Sequence, residues 1–170
     1  MIRTTERLVL EPIGPQHADE LFRIHNDPKV AEWYALTREQ AENRATGWGE
    51  AWHSGGVGKW LAYERETGDL VGRGGLSRLD VGHVEHTDDF VGVLEIGWAI
   101  IGAYWGRGYA TEIGRAGLSY AFDVLDEPRV IAFTESRNER SRAVMERLDM
   151  RLTGEHMEQG EMFAFYEKTR

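Results

Sequence analysis

Across residues 94–125 the apolar positions change period once. Leu94, Ile96, Trp98 and Ile100 alternate with Val93, Glu95, Gly97 and Ala99, the two-residue period of a strand. From Ala110 onward, Ile113, Gly117, Leu118, Ala121, Val124 and Leu125 recur at helical spacing, which puts Glu112, Arg115 and Asp123 on the wet side. Between the two, Gly102, Gly106 and Gly108 punctuate a short turn. A strand that feeds a glycine loop and then a helix makes an anion site. The first-turn N–H groups have no helical acceptor, and the helix dipole adds partial positive charge. This stretch therefore predicts a phosphorylated ligand.

The same two periods order the rest of the chain. Residues 7–13 form a short apolar strand ended by Pro12 and Gly14, and Pro15 suits the start of a helix. Ala18, Leu21, Phe22 and His25 make one stripe, with His25 a core histidine, before Asn26-Asp27-Pro28 stops that helix. Thr37 and Gln40 have the spacing of a capping box, opening a helix with Ala41, Ala45, Trp48 and Trp52 on one face. Residues 59–65 and 70–79 read as a hairpin. Residues 80–90 are a polar loop holding His83, Glu85, His86, Asp88 and Asp89, whose spacing matches no helix-borne metal pair. A strand over 129–134 precedes a helix over 138–150, with Ser141, Val144, Met145 and Leu148 on one face and Asn138 at its border. Residues 151–156 and 161–168 close the chain as a pair of strands. The order β-α-α-β-β-β-α-β-α-β-β predicts an α+β fold with about four helices and a mixed sheet splayed beside the central strand.

Composition narrows the chemistry. A chain of 170 residues suits one domain over 1–170 with a core of its own. Without cysteine there is no disulfide, no thiolate zinc site and no cysteine acyl-enzyme. No stretch approaches the ~20 apolar residues of a membrane span, and the start lacks a signal peptide's apolar core, so the cytoplasm is the expected location. A formal charge of −9 disfavours nucleic acid and favours a cationic partner such as an amine.

Three kinds of phosphate loop compete for residues 102–111. A Walker loop needs a Lys-Ser/Thr pair where Tyr109 and Ala110 stand. A dinucleotide fingerprint needs a small residue at Thr111 and a place near the first strand. The third is an acyl-CoA pyrophosphate loop. Here Trp105-Gly106-Arg107-Gly108-Tyr109-Ala110 resembles the central motif of the GNAT superfamily of N-acetyltransferases, with Trp105 in place of its first residue. The longer string from Tyr104 to Glu112 is similar to the subgroup of ribosomal-protein N-terminal acetyltransferases. So is the opening Thr-Glu-Arg-Leu-x-Leu with Asp27-Pro28 further on. The helix from Asn138 resembles the family's last shared helix, in which the Asn contacts the cofactor arm. Met145 departs from it, standing where many members carry a tyrosine general acid.

The resemblance implies a mostly antiparallel GNAT-type sheet, acetyl-CoA as co-substrate, no metal, and direct attack by a primary amine in a ternary complex. Backbone N–H groups of Arg107, Gly108, Tyr109, Ala110 and Thr111 then bind the pyrophosphate, with the Arg107 side chain adding charge. The backbone of Trp98, Ala99 and Ile100 pairs with the pantetheine arm as an added strand would, and Asn138 is either a cofactor contact or a helix cap. Glu95 is the candidate general base, the one carboxylate on the central strand, between apolar or small neighbours. Ser141 is the candidate donor to the leaving thiolate. Trp33, Tyr34 and Glu85 are candidates for the acceptor pocket. The acceptor is a small-molecule amine or a peptide N-terminus, and a homodimer is the expected assembly. A non-catalytic acyl-CoA sensor is the alternative.

Overall fold

In the computed structural model, which describes residues 2–80, 90–158 and 160–170, strands and helices lie close to where the two periods put them. β1 (Arg3–Thr4) and β2 (Leu8–Pro12) open the chain, and a 3₁₀ turn at Pro15–His17 leads into α1 (Ala18–His25). Next come α2 (Pro28–Tyr34), α3 (Arg38–Gly55), β3 (Lys59–Glu64), β4 (Leu70–Arg78) and β5 (Leu94–Ile100). α4 (Tyr109–Ser119) runs on into a π-helical turn at Tyr120–Val124. β6 (Arg129–Glu135), α5 (Glu139–Arg147), β7 (Arg151–Glu158) and β8 (Glu161–Thr169) complete an α+β fold with a mixed, mostly antiparallel eight-stranded sheet.

Two of these elements depart from the sequence pattern. β1 is too short to show a period. α2 begins where Asn26-Asp27-Pro28 was expected only to end a helix, because these residues do both jobs. The Asn26 N–H closes α1 by donating to the Phe22 carbonyl at 3.0 Å. The Asp27 carboxylate accepts from the Lys29 N–H at 3.1 Å as the cap of α2. Pro28 then sits at a first-turn position that needs no N–H.

The chain packs as two compact units, Met1–Gly75 with Trp98–Ile113 and Leu76–Gly97 with Gly114–Arg170. In the first, β1 to β4 form an antiparallel run, with Leu10 opposite Ala62 and Leu61 opposite Arg73. α1 and α3 bury Leu21, Ile24, Ala41 and Ala45 against Leu61 and Leu70, with Ala99 and Ile101 packed alongside. α3 starts at the predicted capping box: the Gln40 N–H donates to Thr37 Oγ1 at 3.2 Å and the Thr37 N–H to Gln40 Oε1 at 2.8 Å.

His25 is in that core, 1% exposed. Arg73 Nε donates to its Nε2 at 3.2 Å, so Nδ1 carries the proton and donates to the Tyr34 carbonyl at 2.8 Å. Burial, and next the positive Arg73, lower its pKa to about 3, so the ring stays neutral.

In the second unit β6 pairs antiparallel with β8 over seven residues, and β7 lies on the far side of β8. Phe133 and Phe165 pack with centroids 5.3 Å apart, and Phe90 stacks on Phe165 at 6.1 Å. The start of β5 runs parallel to β6, Leu94 beside Val130 and Glu95 beside Ile131.

Candidate active site

The end of β5 fixes which backbone groups are free for a ligand. The Ile101 N–H donates to the Val71 carbonyl at 2.9 Å, and the two-residue period then turns Ala99 toward β4 as well. The N–H and C=O of Trp98 and Ile100 point the other way. Of these, the Ile100 carbonyl is taken by the Trp105 indole N–H at 2.6 Å.

The loop after β5 is anchored on its near side by α2. Asp27 Oδ1 accepts from the Gly102 N–H at 3.1 Å, and the Lys29 ammonium lies 5.3 Å from the centre of the Trp105 ring. Gly106 and Gly108 then take φ of 77° and 82°, left-handed values that disfavour every side-chain-bearing residue. Among the described residues beyond its chain neighbours, a β-carbon on Gly106 would meet nothing within 4 Å and one on Gly108 only Arg7 Nη2 at 3.5 Å, so the space over the loop is open. The Gly108 carbonyl accepts from the Glu112 N–H at 3.1 Å, so the N–H groups of Tyr109, Ala110 and Thr111 precede the first helical bond. The Tyr109 and Thr111 side chains are buried, so these two face a ligand through backbone alone. Arg107 is exposed, its guanidinium 5.3 Å from the Tyr104 ring centre. These features fit a pyrophosphate on the loop and an extended arm along Trp98.

Glu112 corrects the helical-wheel expectation. It is not on a wet face: its side chain is only 13% exposed. Oε1 accepts from Thr5 Oγ1 at 2.6 Å and from the Arg7 N–H at 2.8 Å, while Oε2 accepts from Arg7 Nε at 2.8 Å. Burial pushes this carboxyl up, but the bonds from Thr5 and Arg7 together outweigh it and hold it below the ordinary 4.5. A depressed carboxyl stabilises the fold fully above its unfolded value and loses that contribution as pH falls toward the folded one. The urea-unfolding stability gap between wild type and Glu112→Gln should therefore be constant near neutrality and shrink below pH 4.5. A gap that stays flat to pH 3 would mean that the carboxylate charge contributes nothing.

The other candidates fall in separate places. Glu95 is half-buried on β5, on the same face as Gly97 and Ala99. Tyr34 is 46% exposed at the end of α2, its hydroxyl bonded to Arg44, and its ring meets His25 edge-on at 5.7 Å. Trp33 beside it is half-buried. Asn138 caps α5, its Oδ1 accepting from the Ser141 N–H at 3.1 Å. Met145 is core, 2% exposed. Glu85 lies outside the described residues, as do His83, His86, Asp88 and Asp89. Among the described residues no three His, Asp or Glu side chains gather as metal ligands, and no helix is long and apolar enough to cross a membrane.

The family model of the acetyltransferase (GNAT) domain matches residues 7–151. The chain belongs to the GNAT family. As a GNAT protein it is an acetyl-CoA-dependent N-acetyltransferase. It is 33% identical to the FsC-acetyl coenzyme A-N(2)-transacetylase of Aspergillus fumigatus over 83% of this chain and 61% of that protein. A putative GNAT-family acetyltransferase from Bordetella pertussis superposes with a TM-score of 0.85 at 25% identity, covering 99% of both chains. The ribosomal-protein-S5-alanine acetyltransferase of Vibrio fischeri shares the fold, with a TM-score of 0.79 at 16% identity over 99% of this GNAT chain and 96% of its own.

Proposed function

We propose that this protein moves an acetyl group from acetyl-CoA to a primary amine by direct attack in a ternary complex, with Glu95 as the base. The observation that carries the reading is the open space over Gly106 and Gly108, both at left-handed φ, beside the first-turn N–H groups of α4 that precede its first helical bond. The loop binds phosphate oxygens through N–H groups from Arg107 to Thr111, and Arg107 adds its charge. Trp98 pairs with the amide-rich arm, and one N–H of that edge polarises the thioester carbonyl. Acetyl-CoA supplies the activated acyl group. What remains for the chain is to take a proton from the ammonium, whose pKa lies near ~10, and to return one to the departing sulfur. Glu95 accepts the first. Ser141 supplies the second, directly or through water, since Met145 has no proton to give.

The acceptor is a protein N-terminus or a small-molecule amine, with Trp33 and Tyr34 forming part of its pocket. A second copy of the chain as partner and a cytoplasmic location belong to the same reading. Release of coenzyme A thiol across a panel of small amines and N-terminal peptides tests it. Saturable acetyl-CoA binding with no thiol release against any amine would make the protein a sensor instead.

Asn138 gives a finer test, because its two ends are separable. Oδ1 caps α5, which leaves Nδ2 as the group that holds the cofactor arm. Asn138→Asp keeps the capping oxygen and removes the donor. Its melting temperature should stay within a degree or two, while coenzyme A affinity falls by about 1–3 kcal/mol, the cost of an unpaired polar group. Unchanged affinity would reduce Asn138 to a cap.

A further inference from the structure

The segment before β2 reaches the phosphate loop through the Arg7 side chain. Arg7 Nε and Nη2 donate to Glu112 Oε2 at 2.8 and 2.7 Å, and Nη1 donates to the Arg107 carbonyl at 2.8 Å. Its guanidinium also lies 4.6 Å from the Tyr109 ring centre, and that phenol hydroxyl is bonded to Glu64 of β3. Arg7 is itself held, because Glu112 Oε1 takes both its backbone N–H and the Thr5 hydroxyl. Arg65 donates to the Thr5 and Glu6 carbonyls at 3.1 and 3.0 Å, which pins the segment from the other side.

We propose that Arg7 is a positioning residue for the phosphate loop, setting the orientation of the peptide between Arg107 and Gly108. That peptide is where geometry decides the ligand's fate. Its carbonyl is the one Arg7 holds, and its N–H, on Gly108, points to the opposite side of the same planar group. Fixing the carbonyl toward Arg7 therefore aims the Gly108 N–H away from Arg7, to the other side of the loop. Gly106 and Gly108 on either side are the residues with the least intrinsic preference for one conformation, so the loop needs an external hold. Arg7 supplies it with a planar fork that spans a carboxylate on α4 and a carbonyl in the loop. A lysine ammonium, a single point of charge, cannot reproduce that fork. Pre-ordering of this kind reduces the entropy lost when the ligand binds.

The inference rests on the acetyl-CoA reading, and the test separates the two. Dissociation constants for coenzyme A and for pantetheine, which lacks the pyrophosphate, are measured on wild type, Arg7→Met and Arg7→Lys. The readout is the preference for coenzyme A over pantetheine. In Arg7→Met this preference should fall about tenfold, equivalent to ~1.4 kcal/mol. Arg7→Lys, which keeps the charge, should recover less than half of that loss on the logarithmic scale. General loosening of the unit lowers both affinities together and leaves the preference unchanged, and that result overturns the proposal. So does a lysine variant with full preference, which would make charge alone sufficient. If Arg7→Met fails to fold, as circular dichroism would show, the lysine variant decides alone, and wild-type preference there overturns the proposal. A wild-type protein with no preference for coenzyme A over pantetheine removes the acetyl-CoA reading itself.

Discussion

Gly108→Val should lower acetyl-CoA affinity by a hundredfold or more, about 2.7 kcal/mol, while leaving a folded protein. Two effects combine. At φ 82° an L-residue strains the backbone, and a β-branched one strains it most. Among the described residues beyond its chain neighbours, the new β-carbon meets only Arg7 Nη2 at 3.5 Å, an ordinary contact, so the added methyls enter the open space above the loop and not the core. That space is where the phosphate must come, so the variant excludes the ligand sterically even where the loop tolerates the strain. Gly68 provides the control. It has φ 75° in the turn between β3 and β4, and a β-carbon there meets nothing within 4 Å. Gly68→Val should show a comparable loss of stability with unchanged affinity. Calorimetric affinity of Gly108→Val within threefold of wild type would take this loop out of the cofactor site.

The parts of this site that were legible in the sequence are those made by neighbours in the chain. The strand, the turn and the helix start of residues 94–125 are all local. Each leaves its mark within a few residues, as alternation, as glycine at left-handed φ and as helical spacing. The contacts that hold the loop were not legible in the same way. Asp27 to Gly102 spans 75 residues and Arg7 to Glu112 spans 105. A helical wheel says which stripe Glu112 belongs to and nothing about what docks on that stripe, so it placed a largely covered carboxylate in water. A signal was nevertheless present. Thr5 and Arg7 lie in the opening string, and Glu112 ends the central one, the two stretches that most resemble the same acetyltransferase subgroup. The α2 helix was missed for the opposite reason. Asn26-Asp27-Pro28 is a strong stop signal, and a cap with proline after it is equally a start signal. Only the packing of residues 29–34 distinguishes the two.

Glu95→Gln should reduce kcat/KM by ~10²–10⁴-fold, the usual contribution of a general base, with acetyl-CoA affinity nearly unchanged. Glutamine keeps the size of the side chain and most of its hydrogen bonding but cannot accept a proton. The position makes this discriminating. Glu95 is half-buried on β5 beside Ile131 of β6, three residues before the strand edge assigned to the cofactor arm. A neighbouring structural carboxylate and a catalytic one would be equally well packed there, so stability cannot tell them apart, whereas the pH profile can. With Glu95 as base, the variant depends on amine that is already neutral, so its activity rises more steeply with pH than that of the wild type. Raising the pH should then restore part of the variant's activity, because a growing fraction of the amine reaches the enzyme already neutral and needs no base. A variant with near-normal turnover and the pH dependence of the wild type would make Glu95 structural. The proton would then leave the amine through water.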